Sequence, residues 1–489
     1  MITLRLDKLY SRERTAQPCS VSVPIAQGKL KVCDPIRLWQ NGMQLPMQKK
    51  VLSVYPDGSV RYLFLRFLAD IPANKGTLVD CDLFGERNSA REAEPAGRLM
   101  CVPQENGFCV DTGKLKFVVI NHGVELFGAV TAFGKNYSGK QFTGPALTSE
   151  KASYQMQYGE WSVIEEGPVC VILSNQGKFV AGEAELLCEA RITAYAGKPY
   201  AEVEFRLVNA TEEAVSMTSW EYAVAVENRS QEQNMKIRTC VAESNYKTDF
   251  VIGEAGETVE KSITAEFLMN QSNEQFAETY YGTFFADYTT EEGGICATVY
   301  QAHQNFPKAV LAGKDGLVVK LIPEGSEPAV LQPGMAIKQK LQLLFHTAEE
   351  ELQEINHQSI MFQMPDQPIV PSEVYEASGL FPDVFVKEEH RNPEVECALI
   401  MSADIHTRSY GMMNWGDAPD PGYTAQGRGQ GSLVWTNNEY DYPHACMVQF
   451  VRTGIRRFLD YCLVSGTHQR DVDICHYSNN PLLQGGQWA

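Results

Sequence analysis

Asn437, Asn438, Glu439, Tyr440, Asp441, Tyr442, Pro443 and His444 put two amides, two carboxylates, two phenols and an imidazole into eight consecutive positions. Amides and aromatic rings bind sugar hydroxyls and ring faces, and an imidazole beside phenols can move protons. A lone histidine is more often a structural hydrogen-bond partner, but so many polar neighbours fit a site better than a core. Arg452, next to Thr453-Gly454, has the fork that clamps a carboxylate; it could equally hold a helix C-terminus through the macrodipole. His468-x-x-Asp471-x-Asp473-x-x-His476 gathers ligand types of mixed hardness in no established metal spacing. Helix capping and hydrogen bonding to the next loop are the better expectation there, and no metal or other cofactor is expected. Upstream, Tyr410-Gly411-Met412-Met413-Asn414-Trp415-Gly416-Asp417 sets an aromatic, an amide and a carboxylate beside two glycines that permit close backbone approach. Trp415 and Trp435 either stack on sugar rings or pack inside. Five of the nine histidines (His390, His406, His444, His468 and His476) fall in the last hundred residues, which draws the search for chemistry there.

These residues need elements to hold them. Asp441 can cap a helix whose first turn tolerates Pro443, and Cys446, Met447, Phe450 and Val451 form an apolar stripe at helical spacing up to Gly454. Phe458, Leu459, Cys462 and Leu463 repeat the pattern, so two short helices lie antiparallel as one unit of a helical array. The stripe through Phe450, Leu459 and Leu463 expects further hairpins against it, and stays exposed without them. The earlier chain reads as strands. Val51–Tyr55 and Val60–Phe67 flank the turn Pro56-Asp57-Gly58-Ser59, and Glu86 to Glu94 loses its periodicity, as a junction would. In 200–208, Ala201, Val203, Phe205 and Leu207 alternate with Tyr200, Glu202, Glu204 and Arg206; Cys188, Ala190, Ile192 and Ala194 do likewise before the turn Gly197-Lys198-Pro199. Ile337, Gln339, Leu341, Leu343 and Phe345 mark a late strand, and Pro365, Pro368 and Pro371 an extended linker. The expected order is an N-terminal β domain (1–90), a large antiparallel β-sandwich (91–350), a proline-containing linker (351–380) and a partial helical domain (381–489), with no short internal repeat.

Composition narrows the class. At 489 residues with 44% apolar content, two to four folded domains are expected. A net charge of −19 without a basic stripe argues against nucleic acid. No apolar run is long enough to span a membrane, and Met1 to Asp7 lacks a signal-peptide core. Thirteen scattered cysteines without a Cys-x-x-Cys pair fit reduced thiols, so a cytoplasmic location is expected.

With the hairpin, the tract 411–417 and Asp471-Val472-Asp473-Ile474, further short motifs complete a pattern. They are Pro56-Asp57-Gly58-Ser59-Val60-Arg61-Tyr62, Glu166-Gly167-Pro168-Val169, Ala196-Gly197-Lys198-Pro199 and Gln304-Asn305-Phe306-Pro307-Lys308. Across most of its length the chain resembles the exo-acting rhamnogalacturonan lyases, polysaccharide lyase family twenty-six. The resemblance implies β domains joined to an α/α toroid, with a uronate-containing oligosaccharide or polysaccharide bound between them. About a hundred residues after the linker are too few for a whole toroid, so one cut short at Ala489, or a fragment, is expected. The implied reaction breaks a rhamnosyl–galacturonate link by β-elimination. It needs a cation or hydrogen-bond donor to offset the uronate carboxylate, a base for the C5 proton and an acid for the departing O4. Arg452 or Lys308 suits neutralisation, with Asn437 or Asn438 assisting; His444 or Tyr440 suits the base, and Tyr410 or His476 the acid. Lys308 could equally be a solvated strand-end lysine. Asn414, Trp415, Asp417, Trp435, Glu439, Tyr442 and Asp473, with the two asparagines, complete the expected substrate contacts. Two other classes remain. An inverting glycoside hydrolase would use Asp417 and Glu439, with Asp473 as a third candidate, at a separation of about 6.5–9.5 Å. A non-catalytic carbohydrate-binding fragment would need only the aromatic platforms and amides.

Overall fold

Strands Met47–Val54 and Val60–Ile71 pair antiparallel around the turn at 56–59. Gly58 sits at φ +79°, which costs a glycine nothing, and the Asp57 carboxylate accepts from the Ser59 amide and hydroxyl at 3.0 and 2.6 Å. Arg14–Pro24 joins them in a three-stranded sheet, which packs on a five-stranded sheet built from Ile2–Leu6, Thr77–Asp82 and Arg37–Gln40. Leu4, Val23, Leu63, Phe67 and Val79 fill the space between, fully buried. This computed structural model describes residues 1–85, 97–226, 236–244, 247–267, 281–381, 392–407, 409–439 and 441–487. The expected junction at Glu86–Glu94, His390, the His406 side chain and Tyr440 lie outside the described residues.

The described strands in the middle of the chain all pair antiparallel. A five-stranded meander from Met100–Gln104 to Lys135–Ser138 shares a core with a sixteen-stranded sheet. At the centre of that sheet lie Cys170–Ala181, Ala184–Tyr195, Tyr200–Val208 and Ala336–His346, side by side. Its far strands, Val259–Ile263 and Lys308–Gly313, come round to touch Arg238–Ser244 and Phe284–Thr290. The expected large sandwich is thus mostly one sheet curled nearly shut. Ala201, Val203, Phe205 and Leu207 point inward with no exposure, and burial of such a valine, leucine or phenylalanine contributes about 1.5–3 kcal/mol. The period of two sends Glu202, Glu204 and Arg206 to the other face. In register, Glu204 lies between Arg191 and Lys340, and Arg206 between Glu189 and Lys338.

In the C-terminal third the described α-helices are α1 (Leu352–Gln363), α2 (Ser372–Ser378), α3 (Pro393–Thr407), α4 (Pro421–Ala425), α5 (Tyr442–Thr453) and α6 (Arg456–His468). Residues 351–380, expected as an extended linker, are built into the fold. They contain α1, α2 and a short strand, Pro368–Ile369, paired with Ile2–Leu6. Proline spacing excludes helix only where the prolines fall, and α1 ends before Pro365. Asp366 of this crossover is held by Arg14 through two hydrogen bonds of 2.9 and 3.1 Å.

Helices α5 and α6 form the expected hairpin. Gly454, at φ +68°, closes α5 with its amide on the Phe450 carbonyl at 2.7 Å. Asp441 stands at the cap position but makes no side-chain capping bond; its own φ is +55° and its carboxylate faces His444. Part of the apolar stripe is covered from an unexpected side, while Leu463 stays exposed as a stripe without neighbouring hairpins would. Phe450, Val451, Phe458 and Leu459 pack into the core of the N-terminal sheets, with Val370 and Tyr375 of the crossover. A stripe states that a face must be buried, not what buries it. The described helices do not close into an α/α toroid; α3 lies against α6, and none is long and apolar enough to cross a membrane.

Candidate functional site

The charged outer face of the large sheet does not meet open solvent along its whole length. Helix α6 is laid over it, and the space between is a cleft of about 250 Å³. Its floor carries Glu204, Lys338 and Lys340; its roof carries Leu463, Thr467 and His468 of α6, with Trp415 from the 410–417 loop. Tyr281, Tyr300 and Gln301 come from loops between strands. The helix is anchored at its N-terminal end, where Arg456 donates to the Pro365 carbonyl and pairs with Asp460 at 3.4 Å, and the Tyr281 hydroxyl donates to the same aspartate. At its other end the turn Gln469–Asp473 brings Asp471 to Arg206, at 2.8 Å, and into a bidentate pair with Arg470.

The two floor lysines stand two residues apart on one strand face, in different surroundings. Burial opposes charge on Lys340, but Glu202 at 2.8 Å and Glu204 outweigh it and raise its titration above the usual lysine range. Its ammonium also lies 5.5 and 5.0 Å from the ring centroids of Tyr300 and Phe362. Lys338 has no ion pair within 4 Å among the described residues. Burial lowers its titration, with Glu204 opposing and Arg470 adding to the effect. Glu204 is held below the ordinary glutamate range by Lys338 and Lys340, against the effect of burial. Burial raises Tyr300 above the ordinary phenol range, and its hydroxyl makes no hydrogen bond to the described residues. Burial also raises Asp460, Arg456 notwithstanding. The cleft thus combines an amine biased toward its neutral form, an ammonium held charged and a phenol held protonated. Those are the types that take a proton, offset a carboxylate and return a proton.

Several residues singled out in the sequence gather beside this cleft in internal roles. Asp417 is fully buried and organises the following loop, accepting from the Thr436 hydroxyl and from the Asn437 amide at 2.9 Å. Asn438 is buried and donates to the Gly416 carbonyl at 3.3 Å; Asn437 and Asn438 adopt φ of +48° and +52°, which asparagine tolerates. His468 has Nδ1 3.2 Å from the Trp415 carbonyl and Nε2 3.2 Å from Asp473. Trp415 is buried, donates to Gln301 at 3.1 Å and packs edge-on against Tyr410, so its ring faces protein as well as the cleft. Trp435 bridges Pro419, Asn414 turns the chain back onto Gly411, and the half-buried Tyr442 packs with Cys446 and Tyr461. Glu439 is exposed.

The described members of the expected catalytic set do not converge. Lys308 is fully buried, neither in the cleft nor solvated at a strand end. Its ammonium donates to the carbonyls of Leu321, at 2.9 Å, Pro307 and Asn305, and burial holds its titration well below the usual range. Arg452 joins two helices, pairing with Glu396 of α3 at 3.6 Å and donating to Gln449 at 3.0 Å. The His444 side chain is 63% exposed, pairs with Asp441 at 3.1 Å and does not line the cleft. His476 meets Arg206 and the Arg470 carbonyl, so the four residues from His468 to His476 split between two hydrogen-bond networks. Among the described residues no group of three or more such side chains is arranged to hold a metal ion. Lys338, Lys340, Glu204, Tyr300 and Tyr281 were not singled out. The first three carry one signal, the polar half of two alternating strands.

Residues 3–65 match the family described as the PcRGLX-like N-terminal RIFT barrel domain. No curated protein shows significant sequence similarity to the chain. Among solved structures, an alpha-mannosidase from Enterococcus faecalis V583 is 11% identical over 76% of this chain and 46% of its own, with a TM-score of 0.49. A GH36 alpha-galactosidase from Geobacillus stearothermophilus is 11% identical over 49% of this chain and 40% of its own, at 0.32. A galactose mutarotase-like protein from Lactobacillus casei ATCC 334 is 8% identical over 51% of this chain and 100% of its own, at 0.27. The chain therefore spans less than half the length of the mannosidase, and likeness at these scores bears on neither substrate nor activity.

Proposed function

We propose that the chain is a carbohydrate-active enzyme, or the greater part of one, that cleaves rhamnosyl–galacturonate linkages by β-elimination in the cleft between the large sheet and α6. The reading rests on Lys338, a cleft lysine with no ion pair among the described residues and a titration lowered by burial, beside Lys340, which is paired with Glu202. The match of residues 3–65 to a domain of the rhamnogalacturonan-lyase-like type supports the substrate class. In this account Lys340 offsets the uronate carboxylate, and the Lys338 amine takes the C5 proton. The C4–O bond breaks as the C4=C5 double bond forms, and the leaving oxygen takes the Tyr300 proton. In a galacturonate chair H5 and O4 are axial on opposite faces, so two different groups are required. This account gives the two roles to Lys338 and Tyr300, both of which line the cleft. All thirteen cysteines are free, in keeping with a reducing compartment. Incubation with rhamnogalacturonan oligosaccharides should raise the ultraviolet absorbance of a conjugated uronate double bond; cleavage without that absorbance would reject elimination.

One observation favours a second reading. Glu204 and Asp460 line the same cleft, and their surroundings push their titrations apart, one down and one up. A pair of carboxyls whose surroundings separate their titrations is the arrangement an inverting hydrolase uses. Asp417, Glu439 and Asp473 do not line this cleft; the first and last are held in internal contacts and Glu439 is exposed.

A further inference from the structure

His346 ends the strand Ala336–His346 on the outer face of the large sheet and is 3% exposed. Its ring lies against Gly294 of the neighbouring strand, where a Cβ would stand 2.3 Å from the imidazole Cε1. Both ring nitrogens meet oxygens. Nδ1 is 2.9 Å from the Thr347 carbonyl, and Nε2 is 2.8 Å from one carboxylate oxygen of the fully buried Asp287. A neutral imidazole has one N–H and would turn a lone pair on one of those acceptors, so the two contacts call for both protons. The other Asp287 oxygen accepts from the Thr289 hydroxyl at 2.8 Å and stands 3.5 Å from the Arg238 guanidinium. Arg238 in turn donates to Thr289 at 3.0 Å and to the Glu350 carbonyl at 3.3 Å, in the turn before α1. Burial opposes charge on His346 and Arg238 adds to that, but Asp287 and the Thr347 carbonyl outweigh both and raise its titration above the ordinary histidine range.

The cluster sits where the chain leaves the sheet for α1. Leu352 and Ile355 of α1 pack on Tyr200, Phe285 and Leu344 of the outer face. At the far end of the helix Gln363 accepts from the Gln301 amide at 2.8 Å and donates to the Val299 carbonyl at 2.7 Å. Helix α1 therefore holds the turn that brings Tyr300 and Gln301 to the cleft. We infer that Arg238, Asp287 and His346 form a proton-dependent latch, which fastens α1 to the sheet while His346 is charged and loosens α1, and with it the 299–301 turn, when that proton leaves. The latch does not depend on what the cleft binds. The other groups around it do not mimic it. Cys240 and Cys296 flank Asp287 on the adjoining strands; burial pushes both thiols up, Cys240 to about 12, so they stay neutral. Glu349, Glu350 and Glu351 precede α1, and Glu354 on it pairs with Arg12. His357 of α1 is lowered by burial, with Arg12 and Arg14 adding to the effect, so its contribution is lost as pH falls, the opposite sign.

The test is hydrogen–deuterium exchange of the whole chain between pH 6 and 9, corrected for the pH dependence of intrinsic exchange. A raised histidine contributes fully below its unfolded value of about 6.5, and the contribution is lost as pH rises through the folded value. Protection of residues 352–363 should therefore fall by up to about tenfold per pH unit above about 6.5 and then level off, while strand 200–208 keeps its protection. His346→Gln leaves a neutral donor at the position and should make protection of 352–363 flat across that range. Arg238→Met removes the cation that opposes the imidazolium and should carry the fall to higher pH. Thermal melts at pH 6 check that each variant is folded, and if His346→Gln does not fold, Arg238→Met decides alone. Protection of 352–363 that is flat with pH in the wild type, that falls equally in His346→Gln, or whose fall is unshifted in Arg238→Met would overturn the latch.

Discussion

Lys338→Met removes the amine while keeping the stem that covers the sheet face. If Lys338 takes the C5 proton, turnover should fall by about 10²–10⁴-fold, the usual worth of a positioned base, which is about 2.7–5.4 kcal/mol of transition-state stabilisation. Stability should move the other way. Lys338 titrates below its unfolded value, so the unfolded chain binds the proton more tightly. At pH values below the folded-state pKa the charged lysine therefore costs stability, and the cost fades as pH rises toward the unfolded value near 10.4. Methionine has no such cost, so the variant should unfold at an equal or higher urea concentration at neutral pH. The wild-type rate should climb as pH rises through the lowered lysine value, because the base must be neutral. It should decline only at alkaline pH, where Tyr300, raised by burial, begins to lose its proton. The variant should lose the rising limb. Turnover and unfolding midpoint falling together, or an unchanged rising limb, would refute the assignment and make Lys338 a packing residue.

Phe458 is 1% exposed in the core shared by the hairpin and the N-terminal sheets; Phe458→Ala should cost about 3–5 kcal/mol in denaturant titration, whereas a residue awaiting absent hairpins would cost little. Arg14 and Asp366 have side chains 1% exposed. Arg14→Met should cost about 3–5 kcal/mol, and the double variant Arg14→Met/Asp366→Leu should recover most of it, because the single change leaves a buried charge unpaired; additive losses would contradict this. His444→Ala should leave melting temperature and turnover near wild type, because the ring is exposed outside the cleft; a loss of about a hundredfold or more would restore it as an acid or base.

Local patterns in the chain were legible where one rule governs one element. The 56–59 turn, the alternation at 200–208 and the αL glycine at 454 each follow from backbone sterics or period, and each is present. The partners of those elements were not legible. Phe450 and Leu459 demand cover, and nothing in their spacing distinguishes another hairpin from a β domain more than 350 residues earlier. Glu204, Lys338 and Lys340 occupy the polar half of alternating strands, where water is the default neighbour, so their role as the floor of a cleft depends on where α6 lies. The polar cluster at 437–444 carries a related ambiguity. Asn437 and Asn438 adopt positive φ, which asparagine tolerates, and their backbone amides donate to Asp417. Lys308 shows the same ambiguity at one residue: a lysine after a proline turn reads as a surface group until its three carbonyl acceptors are seen.

The most direct test of elimination in the cleft is cleavage of a defined rhamnogalacturonan oligosaccharide in oxygen-18-labelled water, with the products weighed by mass spectrometry. The account predicts one product lighter by a water than the hydrolytic fragment, no label incorporated by the cleavage in either product, and both features lost with Lys338→Met. A fragment that gains one labelled oxygen at the new reducing end, with turnover surviving Lys338→Met but not Glu204→Gln or Asp460→Asn, would contradict it and make the enzyme a hydrolase.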